Sequence, residues 1–119
     1  MVLVDTSVWI SHLRTGNPAL AFLLENEEVA IHPFIVGELA CGNLKNRSQI
    51  LELLQSLPGT MEVSREEAME FIRSRQLMGK GLGYIDIHLL ASAVLTGIPL
   101  WTLDKKLKAI SIRLQIVYP

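Results

Sequence analysis

Two periodicities alternate along this chain, and the switches between them lay out its elements. Val2-Leu3-Val4 is a wholly apolar run that ends in Asp5-Thr6-Ser7, the pattern of a buried strand with a carboxylate at its C-terminal tip. Val8, Ile10 and Leu13 follow, with Trp9 beside them, so a helix starts at once. Ser7 is its expected N-cap, because a serine oxygen can accept from a free N–H of the first turn. After the loop Thr15-Gly16-Asn17-Pro18, Asn17 caps and Pro18 opens a second helix through Glu25. Val29 to Ile31 reads as a second strand. Pro33 opens a helix with Phe34, Ile35, Leu39 and Cys41 as apolar contacts and Glu38 inside the pattern, ended by Gly42-Asn43.

Arg47 to Leu57 is helical, with Ile50, Leu53, Leu54 and Leu57 on one stripe. Pro58-Gly59 breaks it, and Met61 to Val63 reads as a third strand. Ser64-Arg65-Glu66-Glu67 has capping-box spacing and starts a helix that reaches about Met78. The loop Gly79-Lys80-Gly81-Leu82-Gly83 leads to a helix in which Asp86 precedes Leu89, Leu90, Ala93 and Val94 at i+3, i+4, i+7 and i+8. Gly97 suits the position just past its end. Leu100-Trp101 is a fourth strand, ended by Thr102-Leu103-Asp104. Lys105 to Ile110 is a short helix, and Leu114 to Val117 a last strand. Strands separated by helices predict one α/β domain over residues 1–119, with a mostly parallel sheet and helices on both faces.

Composition narrows the class. A chain of 119 residues, 50% hydrophobic, is large enough for one core and too apolar to be disordered. A net charge of −1 carries no global basic footprint, so nucleic-acid binding would need a local patch. The single Cys41 forms no internal disulfide, which fits a reducing compartment. Its place in an apolar helical pattern predicts a buried, inert thiol. Leu89 to Trp101 is too short to span a bilayer and is interrupted by Gly97 and Pro99. No signal peptide is apparent. The expectation is a soluble cytoplasmic protein without a membrane role.

Four acids stand where acids are costly. Asp5 and Asp104 follow short apolar strands, and Glu38 and Asp86 interrupt or head apolar helical stripes. A charge on such a face is expensive unless it is paired or binds a cation. Each has a plain alternative: Asp5, Asp86 and Asp104 as caps or turn residues, and Glu38 as the partner of an arginine. Taken together they point elsewhere. If the strands bearing Asp5 and Asp104 are neighbours, their tips converge on one sheet edge, where ligands of open parallel sheets sit. Crowded carboxylates raise one another's pKa, a divalent cation removes that penalty, and all-oxygen ligation favours Mg²⁺ or Mn²⁺ over zinc.

Asp5-Thr6-Ser7, Glu38 within Val36-Gly37-Glu38-Leu39, Gly83-x-x-Asp86 and Thr102-x-Asp104 together resemble the signature of PIN-domain nucleases. The opening Val4-Asp5-Thr6-Ser7-Val8-Trp9-Ile10 is similar to VapC toxins of bacterial toxin–antitoxin pairs, and the resemblance runs over essentially the whole chain, in order. It implies a three-layer α/β/α fold with a central sheet of order 3-2-1-4-5. It implies a Mg²⁺- or Mn²⁺-dependent endoribonuclease in which Asp5, Glu38, Asp86 and Asp104 hold metal, directly or through water. A metal-activated water would then attack the scissile phosphate in line. Thr6 and Thr102 become supports that hydrogen-bond carboxylates or phosphate, or remain ordinary cap and turn hydroxyls. The resemblance also implies a homodimer and a VapB-like antitoxin that covers the acidic pocket. The chain departs from the pattern after Asp104, where many relatives carry a further acid or Asn and this one has Lys105 and Lys106. That leaves the number of metals open.

Single-stranded or looped RNA is the expected substrate, since splayed bases and accessible phosphates suit an open groove. Lys105 and Lys106 lie nearest a proposed ligand and are the foremost RNA contacts, with Arg14, Lys45, Arg47, Arg73, Arg75, Lys80 and Lys108 as further cations; solvated side chains are the plain alternative. Trp9 and Tyr84 can stack on bases, though Trp9 sits in a core pattern. His12, His32 and His88 show no ligand spacing. A phosphoacceptor receiver domain would need an acid beside Asp5 and a strand-tip Asp after Met61-Glu62-Val63, and an aspartate-nucleophile phosphatase needs an acid where Ser7 stands. A non-catalytic PIN-fold binding module is the remaining rival, and the intact four-acid set argues against it.

Overall fold

Val2, Leu3 and Val4 are all buried, and the rest of the molecule is built around the strand they form. The structure, a computed structural model, describes residues 1–119. Strand β1 (Val2–Val4) is followed by α1 (Thr6–Thr15), α2 (Pro18–Glu25), β2 (Val29–Ala30), α3 (Pro33–Ala40) and α4 (Arg47–Ser56). The chain then forms α5 (Arg65–Arg75), α6 (Tyr84–Thr96), β3 (Leu100–Trp101) and α7 (Lys105–Arg113). β1 pairs in parallel with β2, Val2 opposite Val29, and with β3, Leu3 opposite Leu100. The sheet order is β2-β1-β3, and the helices pack as α1 on α3, α3 on α4 and α5 on α6. Leu3, Trp9, Leu20, Ile35, Leu54, Leu89, Leu90, Leu100 and Leu107 fill the core. Each buried side chain of this size stabilises the fold by roughly 1.5–3 kcal/mol relative to exposure.

The five-stranded order 3-2-1-4-5 is corrected to three strands. The two outer places hold single parallel bridges, Ile31 with Gly59 beyond β2 and Leu100 with Val117 beyond β3. Met61 to Val63 forms no strand. Thr60 N donates to Ile31 O, but Met61 N then donates to Thr96 Oγ1 at 3.0 Å and leaves the ladder. Pro58, on the other side of Gly59, has no N–H to give. At the opposite edge α7 runs on to Arg113, and Leu114 N still donates to Ile110 O. The expected strand Leu114 to Val117 thus loses its first half to the helix end. Leu100 alone makes the ladder bonds there, to Ile116 O and from Tyr118 N.

Local signals account for most helix ends. Asn17 accepts from Leu20 N, Ser64 and Glu67 form the capping box, and Gly97 ends α6 at φ 77°. Pro33 opens α3, and His32 Nδ1 caps it by accepting from Phe34 N at 3.0 Å. Cys41 is exposed, not buried: α3 ends at Ala40, and Cys41 lies beyond it on the side away from buried Leu39. No helix is long and apolar enough to cross a membrane.

Candidate active site at the carboxyl edge of the sheet

Strand pairing sets the first two acids. Asp5 is the residue after β1, and its N–H donates to Trp101 O at 2.8 Å, so the ends of β1 and β3 lie side by side. Asp5 is buried. Its Oδ2 accepts from Thr102 Oγ1 and from Ser7 Oγ, each at 2.7 Å. Thr102 Oγ1 in turn accepts from Asp104 N at 3.0 Å, which folds the β3–α7 turn against Asp5. Asp104 heads α7, and its Oδ1 accepts from Leu107 N at 2.8 Å.

Ser7 is not the cap of α1. Asp5 holds that position without a side-chain cap bond; its Oδ2 takes the two hydroxyls instead. The Ser7 hydroxyl also accepts from Leu103 N at 3.0 Å, so it joins α1 to the turn that carries Asp104. Sequence reasoning missed this support. The signal was present in Asp5-Thr6-Ser7, but a capping serine and a carboxylate-binding serine look alike.

Two helices bring the other acids. Glu38 is exposed on α3, and its Oε1 accepts from Thr6 Oγ1 at 2.8 Å. Asp86 is the third residue of α6, half-buried, with Oδ2 accepting from Gly83 N at 2.9 Å. Burial pushes the Asp86 carboxyl above its ordinary range, the Gly83 N–H opposes this, and the charges of Asp5 and Asp104 push it further up. Asp5, Asp86 and Asp104 therefore share one electrostatic neighbourhood.

The plain alternatives are half realised. Asp86 and Asp104 do accept helix-start N–H groups, whereas Glu38 meets no arginine. What the four have in common is the remainder. Each bonds protein donors through one carboxylate oxygen and leaves the other oxygen without one. None is ion-paired; the two ion pairs of the molecule, Arg65–Glu66 and Arg73–Glu70, both lie on α5. No three side chains are gathered at ligand distance as placed. The set of unclaimed carboxylate oxygens nevertheless fits a hard cation that takes oxygen ligands.

Lys105 and Lys106 are exposed at the start of α7. Lys106 runs across Gly81, where an added Cβ would stand 2.9 Å from Nζ. Its side chain thus crosses the loop leading to Asp86. Trp9 is buried, while Tyr84 is exposed and packs edge-on against His88, with ring centroids 4.6 Å apart. Burial lowers the pKa of both His32 and His88, as expected of neutral packing residues.

A parallel sheet whose carboxyl edge gathers uncompensated acids defines a class, and residues 2–112 match the PIN domain family; the chain belongs to it. Ribonuclease VapC32 of Mycobacterium tuberculosis, in strains CDC 1551 / Oshkosh and H37Rv, is 46% identical over 110 residues, which is 92% of this chain and 89% of the relative. Among solved structures, PAE2754 from Pyrobaculum aerophilum superposes with a TM-score of 0.65 at 20% identity, covering 96% of this chain and 94% of the other. FitAcB from Neisseria gonorrhoeae gives 0.65 at 21%, covering 94% of each. At such identities these two show the fold.

Proposed function

We propose that this chain is a VapC-type endoribonuclease that hydrolyses a phosphodiester bond of single-stranded or looped RNA with a carboxylate-held Mg²⁺ or Mn²⁺. One observation supports the reading: Asp5, Asp86 and Asp104, far apart in sequence, share one electrostatic neighbourhood at the sheet edge, Glu38 is tied to it through Thr6, and none of the four is ion-paired. The kinship with a ribonuclease at 46% identity supports it.

Asp5, Glu38, Asp86 and Asp104 hold the cation. The cation supplies charge neutralisation and Lewis acidity at the scissile phosphate. Thr102 and Ser7 fix the Asp5 carboxylate through Oδ2 and so aim Oδ1 outward, and Thr6 does the same for Glu38. Lys105 and Lys106 hold neighbouring phosphates. Residues 1–119 act as one PIN unit, as a homodimer in the cytoplasm, and a VapB-like antitoxin covers the acid edge. Exposed Phe22, Phe34, Met61, Met69 and Leu95 leave apolar surface for such partners.

The test is cleavage of total cellular RNA by the purified protein with Mg²⁺ or Mn²⁺, with EDTA, and beside Asp5→Asn. Discrete fragments that need metal and vanish in the variant are expected. A folded protein that cleaves nothing with either metal would return the chain to the class of binding modules. Cleavage that survives EDTA and the substitution would belong to a contaminant.

A further inference from the structure

A groove of about 570 Å³ opens between α1, α3 and the loop into α4, and Glu38 forms part of its wall. Its floor is aliphatic, with Leu13 from α1 and Leu39 from α3. Arg14 and Lys45 stand on its rim, both exposed and neither ion-paired. Two exposed side-chain amides, Asn43 and Asn46, line it as well. Asn46 sits at the N-cap of α4 with φ 53°, and its side chain makes no cap bond. Asn43 makes no side-chain hydrogen bond either. Arg47 Nη1 donates to Ala40 O at 2.6 Å and Gly42 O at 3.4 Å. It ties the loop to the end of α3 and keeps this wall in place.

Resting on the ribonuclease reading, we infer that this groove is a nucleotide-specificity pocket: it takes the base of an unpaired nucleotide beside the scissile phosphate, while Arg14 and Lys45 hold an adjoining phosphate. The chemistry of the lining selects this occupant. An aliphatic floor covers the face of a base. A carboxamide presents a donor and an acceptor side by side, which complements the edge of a base. Two exposed cations in the same groove as Glu38, one of the proposed metal ligands, favour a polyanion that continues from that site. A duplex keeps its bases stacked and paired, whereas a single strand can place one into such a slot.

Cleavage-site mapping on a randomised single-stranded RNA pool, with Mg²⁺, tests the inference. The double variant Asn43→Ala/Asn46→Ala is expected to relax base preference next to the cut by about tenfold. Arg14→Gln/Lys45→Gln is expected to raise KM about tenfold with kcat within about twofold, the pattern of lost uniform binding. The same two substitutions in the Asp5→Asn protein should flatten the dependence of log affinity on log salt by about 0.7 per removed charge, measured with the same RNA pool. Circular dichroism and melting curves matching the parent exclude a loss of structure as the cause. Unchanged base preference and unchanged slope, with the parent protein cleaving normally, overturn the inference. A changed oligomeric state with RNA parameters intact assigns the groove to a second copy and also overturns it. If the parent protein cleaves nothing, the ribonuclease reading fails separately, and an unchanged salt slope then removes the pocket as well.

Discussion

Two parts of this molecule are rich in acids, and they treat them in opposite ways. On α5, Glu67 accepts from Ser64 N in the capping box and Glu70 accepts from Arg73 Nε at 2.8 Å. Ser64 holds the Glu67 carboxyl below its ordinary range, and Arg73 does the same for Glu70. At the sheet edge, burial and then the charges of Asp5 and Asp104 push Asp86 the other way. The α5 acids find partners within one helical turn, and those partners come with the local sequence. The edge acids come from positions 5, 38, 86 and 104: Asp5, Asp86 and Asp104 share one electrostatic neighbourhood, and Glu38 joins it through Thr6, the neighbour of Asp5. The α5 acids are served within their own helix, Glu67 by its capping box and Glu70 by an arginine. Those at the edge have no ion-pair partner, and a cation at the edge is what the proposed function supplies.

The comparison can be broken most sharply at Asp5. Asp5→Asn should lower RNA cleavage by at least about a hundredfold, with the melting curve showing a folded protein; full activity would end the contrast. Next in size is Thr102→Val, which removes the buried hydroxyl that donates to Asp5 Oδ2. A loss of roughly tenfold to a hundredfold is expected, and Thr102→Ser should recover most of it. On the other region, Ser64→Ala should cost about 1 kcal/mol of stability, read from denaturant unfolding, and leave cleavage untouched.

The smallest effect sharpens the signs. In metal-free buffer the Asp86 contribution to stability is fully present below its unfolded value near 3.8 and is lost as pH rises through the raised folded value, because the folded state there binds more protons. The exposed Glu67 and Glu70 run oppositely: theirs is present above the ordinary value of 4.5 and lost as pH falls through the lowered folded values. Asp86→Asn keeps an oxygen for Gly83 N and removes the charge. It should therefore melt at or slightly above the parent at neutral pH, by thermal unfolding followed by circular dichroism. A clear fall in melting temperature would contradict the sign.

Much of this was legible in the chain before folding. Val2-Leu3-Val4 and Leu100-Trp101 are apolar runs that end in acids, so the inner strands and Asp5 and Asp104 could be read together. Asn17 and the Ser64–Glu67 box are local chemistry, and both caps form as their spacing predicts. The misses all depend on distant or competing partners. Met61-Glu62-Val63 alternates like a strand, but its first N–H goes to a hydroxyl 35 residues away. Leu114 to Val117 is apolar enough for a strand, but Leu114 caps α7 and its N–H still donates to Ile110 O. Cys41 reads as core only if α3 continues past Ala40. His32 caps α3 because Pro33 has no N–H and the next free donor is that of Phe34, a role that ligand spacing does not reveal.

Calorimetric titration of Mn²⁺ into the metal-free protein, beside Asp5→Asn and Asp86→Asn, tests the central claim most directly. The account predicts a saturable site in the parent and at least about tenfold weaker binding in each folded variant. Equal Mn²⁺ binding by all three proteins, or none by the parent, would contradict it.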